Sequence, residues 1–154
     1  MTGVPRCSGD RGQVGGIEAI PFGLLIFVLG SLLIANAWAV VDAKFATDAA
    51  ARQAARTFVE GTDGADALAA AEGAGRAAIE GHGRDPARVV IAPVGALLLA
   101  RCEQVTFEAV YEVPALSIPL IGGYGTAPFR VRSTHSEVVD PFRSGLDGQG
   151  EDCT

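Results

Sequence analysis

The sequence predicts an α+β protein with a long N-terminal transmembrane helix, a second helix, and a small antiparallel β-sheet of three or four strands. Three observations predict it. Between Glu18 and Asp42 lie 23 residues without a charge, about 34 Å of helix against a hydrocarbon core of ~30 Å. The residues that follow are alanine-rich, with opposite charges four apart as on a helix face. After Arg88 the apolar residues recur with a period of two, which is the mark of half-buried strands. The chain divides accordingly into a cytoplasmic leader-like segment (1–17), a transmembrane helix (18–41), an extracytoplasmic α+β domain that begins with the continuation of that helix (42–143), and a flexible tail (144–154).

Charge supports this division. The 154 residues carry a formal net charge of -6. From Asp42 onward there are 10 basic and 16 acidic residues, so the excess acid lies beyond the apolar run. A nucleic acid partner needs a basic patch against phosphates, and the composition argues against one. A solvated domain of roughly 110 residues outside the membrane fits, and it can bury a modest core.

The apolar run admits three readings. Arg6 and Arg11 precede it and Asp42 follows it, which places the N-terminus in the cytoplasm, although Lys44, Arg52 and Arg56 beyond it dilute the asymmetry. Trp38 lies near its far end, where an interfacial ring is favoured. Ala35, Asn36 and Ala37 match a small-x-small cleavage pattern, the mark of a removed secretory signal. Against that, the run is longer than an ordinary signal core, and Glu18 stands where signals seldom carry an acid. A plain signal anchor and an assembly helix are the other readings. An acid inside a membrane helix costs about 2.5–3.5 kcal/mol at the centre and less near the interface. Glu18 therefore either lies at headgroup level or meets a cation, and a helix N-terminus already favours a carboxylate.

Beyond the membrane the helical pattern continues to about Glu60. Val41, Phe45, Ala49, Ala55 and Val59 form a narrow apolar stripe. Lys44 and Asp48, Asp48 and Arg52, and Arg56 and Glu60 are spaced to pair. Pro21 can kink the first turns, and the many alanines allow close packing against a sheet or another helix. "GTDG" at residues 61–64 ends this helix, and Thr62 or Asp63 caps a second one over about residues 65–80, with Asp66 in its first turn. Gly73 and Gly75 weaken its middle. "GAGRAA" has neither the spacing nor the preceding strand of a dinucleotide fingerprint.

"RVVIAP" reads as a short strand. In "CEQVTFEAVYEV", Val105, Phe107, Ala109, Tyr111 and Val113 alternate with Gln104, Thr106, Glu108, Val110 and Glu112. "PALSIPLIGGYGTAP" is a Pro/Gly-rich connection, and "FRVRSTHSEVV" is another strand. The sheet is expected to form a meander packed on the outer helix.

Little here speaks for catalysis. His82 falls in a glycine turn and His135 on a strand, and both are expected in solvent. No phosphate loop, nucleophile elbow or metalloprotease helix appears, and no cofactor is called for. Glu108 and Glu112 share the outer face of a strand. Cys7 lacks the preceding apolar run of a lipoprotein site. Once exported, Cys102 and Cys153 occupy an oxidising space, where they either pair or remain two free thiols.

The segments "RGQVGGIEAIPFGLLIFVLGSLLIANAWAVVDAKFATDAAARQAAR", "VTFEAVYEVPALSIPLIG" and "STHSEVVDPFRSG" together resemble the TadE-like proteins, pilin-related components of the tight-adherence (Flp) pilus, in their actinobacterial form. The resemblance covers most of the chain. It implies a non-enzymatic pilin-like membrane protein, a minor pilin or assembly factor, whose partners are other pilin-like subunits, the pilus assembly machinery, a prepilin-type peptidase and the lipid bilayer. In that family the peptidase cuts after a glycine and leaves a glutamate at the fifth mature position. Here a cut after Gly12 makes Gln13 the first residue and Glu18 the sixth. Glu18 would then neutralise a neighbouring subunit's N-terminal amine, and the unbroken helix would carry the head clear of the membrane.

Overall fold

The structure is a computed structural model that describes residues 19–113, 129–148 and 153. Gly12, Gln13 and Glu18 lie outside the described residues, as does the Pro/Gly-rich connection. The element order is α1 (Ala19–Val59), α2 (Gly64–Gly81), a 3-10 turn (Pro86–Arg88), β1 (Val89–Pro93), β2 (Gln104–Val113) and β3 (Phe129–Val138). The three strands form one antiparallel sheet in the order β1-β2-β3. This is the expected α+β layout, with three strands described. Two compact units result, Met1–Ala37 and Trp38–Thr154.

Local chemistry explains the element ends. Pro21 lies in the first described turn of α1, and the helix runs on through it. Gly61 sits where a Cβ would collide with Ala67, and its N–H donates to the Phe58 carbonyl at 2.9 Å. The chain can therefore reverse tightly between the helices. Asp63 is the N-cap of α2, its carboxylate accepting from the N–H groups of Ala65 and Asp66.

Trp38–Thr154 holds the core. Val105, Phe107, Ala109, Tyr111 and Val113 are buried along β2, as the alternation predicts, with Val89 and Ile91 of β1 and Val131 of β3 on the same face. Against them lie Ala43, Ala46, Thr47, Ala50, Ala51, Ala54, Ala55 and Phe58 of α1. The Phe58 and Phe107 rings meet at 5.5 Å between centroids, tilted by 50°. Ala67, Ala71, Gly75 and Ile79 face inward from α2. At Gly75 an added Cβ would collide with Ile91 and come within 3.2 Å of the Ala50 carbonyl oxygen. The glycine that weakens the helix intrinsically is what lets α2 approach α1 and β1.

The apolar stripe expected on the outer half of α1 is corrected. Of its members only Ala55 is fully buried; Phe45 is 65% exposed and Val41 is exposed too. The buried arc is the alanine face, because small side chains let the helix lie close to the sheet while β2 and Phe58 supply the bulk. Buried Thr47 remains satisfied by donating to the Ala43 carbonyl at 2.6 Å.

The charge pairs are corrected in one place. Arg52 pairs with Asp48, and Arg56 with Glu60 at 3.1 Å. Lys44 crosses to β3 instead, donating to Ser133 Oγ at 2.7 Å and to the Arg132 carbonyl. Ser133 is buried, so this bond satisfies a hydroxyl that a surface pairing would have abandoned.

Candidate functional site

The most unusual surface is the apolar part of α1. From Ile20 to Ile34 its large side chains are exposed, apart from half-buried Leu32, and none of its most apolar stretch is buried within the protein. The exposed side chains Phe22, Leu24, Leu25, Ile26, Phe27, Val28 and Leu29 succeed one another and so cover every side of the helix. A helix that is apolar and exposed on all sides suits hydrocarbon, where its backbone groups are satisfied internally. Asn36 fits the same requirement, its side-chain amide donating to the Leu32 carbonyl at 3.0 Å. This helix is long and apolar enough to cross a membrane, and it is a candidate anchor. The expected processing residues Gly12 and Gln13 and the expected assembly residue Glu18 lie just before it and have no described geometry.

In Trp38–Thr154 the end near Asp42 is fastened by Arg84, which follows the end of α2. Arg84 is mostly buried, donates to Asp42 Oδ2 at 2.6 and 3.1 Å and to the Ala39 carbonyl at 2.9 Å, and places its guanidinium 5.6 Å from the Tyr111 ring centroid. Its signal in sequence was slight: an arginine between a helix-ending glycine and the turn at Asp85 and Pro86. The opposite end is fastened by the chain's last segment. Cys102 and Cys153 are joined in a disulfide, 51 residues apart with Cα atoms 5.0 Å from each other. Beside it, the Arg101 N–H donates to the Asp147 carbonyl at 2.9 Å, Arg101 Nε to the Arg143 carbonyl at 2.8 Å, and the Cys102 N–H to the Val139 carbonyl at 3.0 Å. Arg143 in turn donates to the Glu60 carbonyl just after α1.

The open face of the sheet carries Glu112 paired with Arg130 at 3.0 Å and Glu108 with Arg132 at 3.3 Å. Both acids are thus on the outer face, each engaged by an arginine of β3. His82 caps α2 and is exposed, as expected. His135 is half-buried, its Nε2 3.0 Å from Glu137 Oε1, which corrects its placement in open solvent. Among the described residues, no group of three or more His, Cys, Asp or Glu is placed to hold a metal ion. Every buried side-chain nitrogen and oxygen described has a hydrogen-bond partner. No protein-family model, curated protein or solved structure matches this chain.

Proposed function

We propose that the chain is a pilin-like, non-enzymatic membrane protein, a minor pilin or assembly factor of a tight-adherence (Flp-type) pilus. The observation that carries the reading is α1. One helix of 41 residues has a most apolar stretch that is not buried, and its later portion supplies the alanine face of a folded domain's core. An apolar helix whose continuation is a core element of a folded domain suits a pilin-like subunit. On this reading the N-terminus is cytoplasmic and the head extracytoplasmic. The Cys102–Cys153 bridge supports that side as the oxidising one. A prepilin-type peptidase would cut between Gly12 and Gln13, and Glu18 would meet a neighbour's amine among packed apolar helices.

A second reading, a secreted or signal-anchored binding domain unrelated to pili, is favoured by one observation. The compact unit that holds the core begins at Trp38, directly after the Ala35-Asn36-Ala37 pattern. A signal-type cut there would release that whole unit. The mature N-terminus separates the readings by mass spectrometry of protein from its native host. Gln13 supports pilin processing, Trp38 gives the secreted domain, and an uncut start gives a plain anchor.

A further inference from the structure

Beside the fastened Asp42 end, the open face of the sheet forms a groove of ≈ 600 Å³ lined chiefly by Arg88, Arg130, Arg132, Glu112, Val90 and Val110. Register builds it: Val90 pairs with Val110, Val110 with Arg132, and Glu112 with Arg130. Three guanidinium groups and the Glu112 carboxylate line the groove, and with Asp85 and Glu108 against Arg88 and Arg132 the fixed charges there balance. Each arginine has an acidic partner, Arg88 pairing with Asp85 at 3.2 Å, yet the three arginine side chains are 44–71% exposed. Such pairs lie in water and contribute little, so an incoming anion can recruit the guanidinium groups cheaply. Their planar forks match phosphate oxygens. Between them Val90, itself 65% exposed, gives the groove an apolar floor. Cations around an apolar floor suit an amphiphile better than a free ion.

Position within the head names the amphiphile. Lys44 of α1 bonds the Arg132 carbonyl, and Arg84 joins Asp42 and Ala39 to the Tyr111 ring, while Tyr111 pairs with Val89 and Val131. The groove's strands therefore stand level with residues 39–44 of α1, and Asp42 is the first charge after the apolar run. One pair further along the sheet lie Val113 and Phe129, the latter exposed. We infer that this groove binds the phosphate of an anionic phospholipid in the leaflet beside the head, orienting the head on the membrane surface. The inference rests on α1 being the membrane anchor, whether or not the assembly is a pilus.

The test uses the full chain in nanodiscs of phosphatidylcholine alone or of phosphatidylcholine with phosphatidylglycerol, with hydrogen exchange read by peptide. Exchange over residues 86–93 and 129–134 should slow several-fold in the anionic discs. Salt should reverse the effect, since screening shortens from ~10 Å at 0.1 M to ~3 Å at 1 M. The Arg88→Gln/Arg130→Gln/Arg132→Gln variant should lose it while residues 105–111 keep their protection. Should that variant unfold, Arg130→Gln alone and the salt titration of the unaltered chain decide. Equal exchange in both discs, with residues 19–41 protected, overturns the lipid contact and leaves the anchor standing. Unprotected residues 19–41 overturn the anchor and this inference with it. Slowing by inorganic phosphate in phosphatidylcholine discs overturns the lipid as the source of the phosphate.

Discussion

Small residues set the geometry of the head. Gly73 and Gly75 are two apart on α2, and the sequence gives no reason to distinguish them. Their surroundings do: a Cβ on Gly73 meets nothing within 4 Å, whereas one on Gly75 collides with Ile91 and crowds the Ala50 carbonyl oxygen. Gly73→Ala should therefore stabilise the head by about 0.5–1 kcal/mol, the usual gain in a helix interior. Gly75→Ala gains the same propensity but must push α2 away from α1 and β1, and overpacking typically costs about 1–3 kcal/mol. Chemical unfolding of the full chain in detergent micelles, followed by near-UV circular dichroism, should move the midpoint in opposite directions. A shift of the same sign for both would show that the close approach at Gly75 does not constrain the packing. Lys44 belongs to this scale too. It occupies a helix position suited to pairing with Asp48, but buried Ser133 needs a partner and a surface ion pair is worth little, so the longer reach prevails.

At the scale of elements, local patterns carry the strands, the cap and the turn. The alternation of β2 is complete within ten residues, and burial follows it without exception. The cap at Asp63 and the turn at Gly61 are likewise local signals. The buried face of α1 differs from the expected stripe because the alanine face packs closest and leaves Phe45 outside. Arg84 with Asp42 and Lys44 with Ser133 join residues 42 and 89 apart, which no local pattern reports. The arginine groove needs the β2–β3 register before its members become neighbours. The cysteine pair could be raised from compartment alone, and the fold then brings Cys153 to the turn before β2. Residues 143, 147 and 153 fasten to Arg101 and Cys102 there. On the chain-entropy account a loop of this size contributes up to ~4 kcal/mol, and bridges often give less. Cys153→Ser should lower the unfolding free energy by up to that amount. It should also speed exchange at the Arg101 amide before it affects the core amides of β2. Unchanged protection at Arg101 would mean that the backbone bonds hold this segment without the bridge.

At the scale of the whole molecule, the division at Trp38 separates two tasks. The described core residues all come from Trp38–Thr154, and the apolar helix contributes none of them before residue 43. Folding of the head should thus be insensitive to what happens at the start of the chain. Glu18 is the last charge before 23 uncharged residues, and a carboxylate so placed costs free energy in lipid unless a cation neutralises it. In an assembly of such helices the amine of a processed neighbour would be that cation, and pairing would relieve the desolvation of both groups together. Glu18→Ala should leave the chain inserted and its head as stable as before, while weakening co-purification with partner pilin-like subunits and reducing piliation. Glu18→Gln keeps the size and removes the charge, so an equal loss assigns the effect to charge. The head's unfolding midpoint, measured on the same preparations, separates an assembly defect from a folding one. Wild-type partner recovery and normal pili in both variants would reduce Glu18 to a headgroup-level acid, and the carboxylate–amine contact would then have no part in assembly.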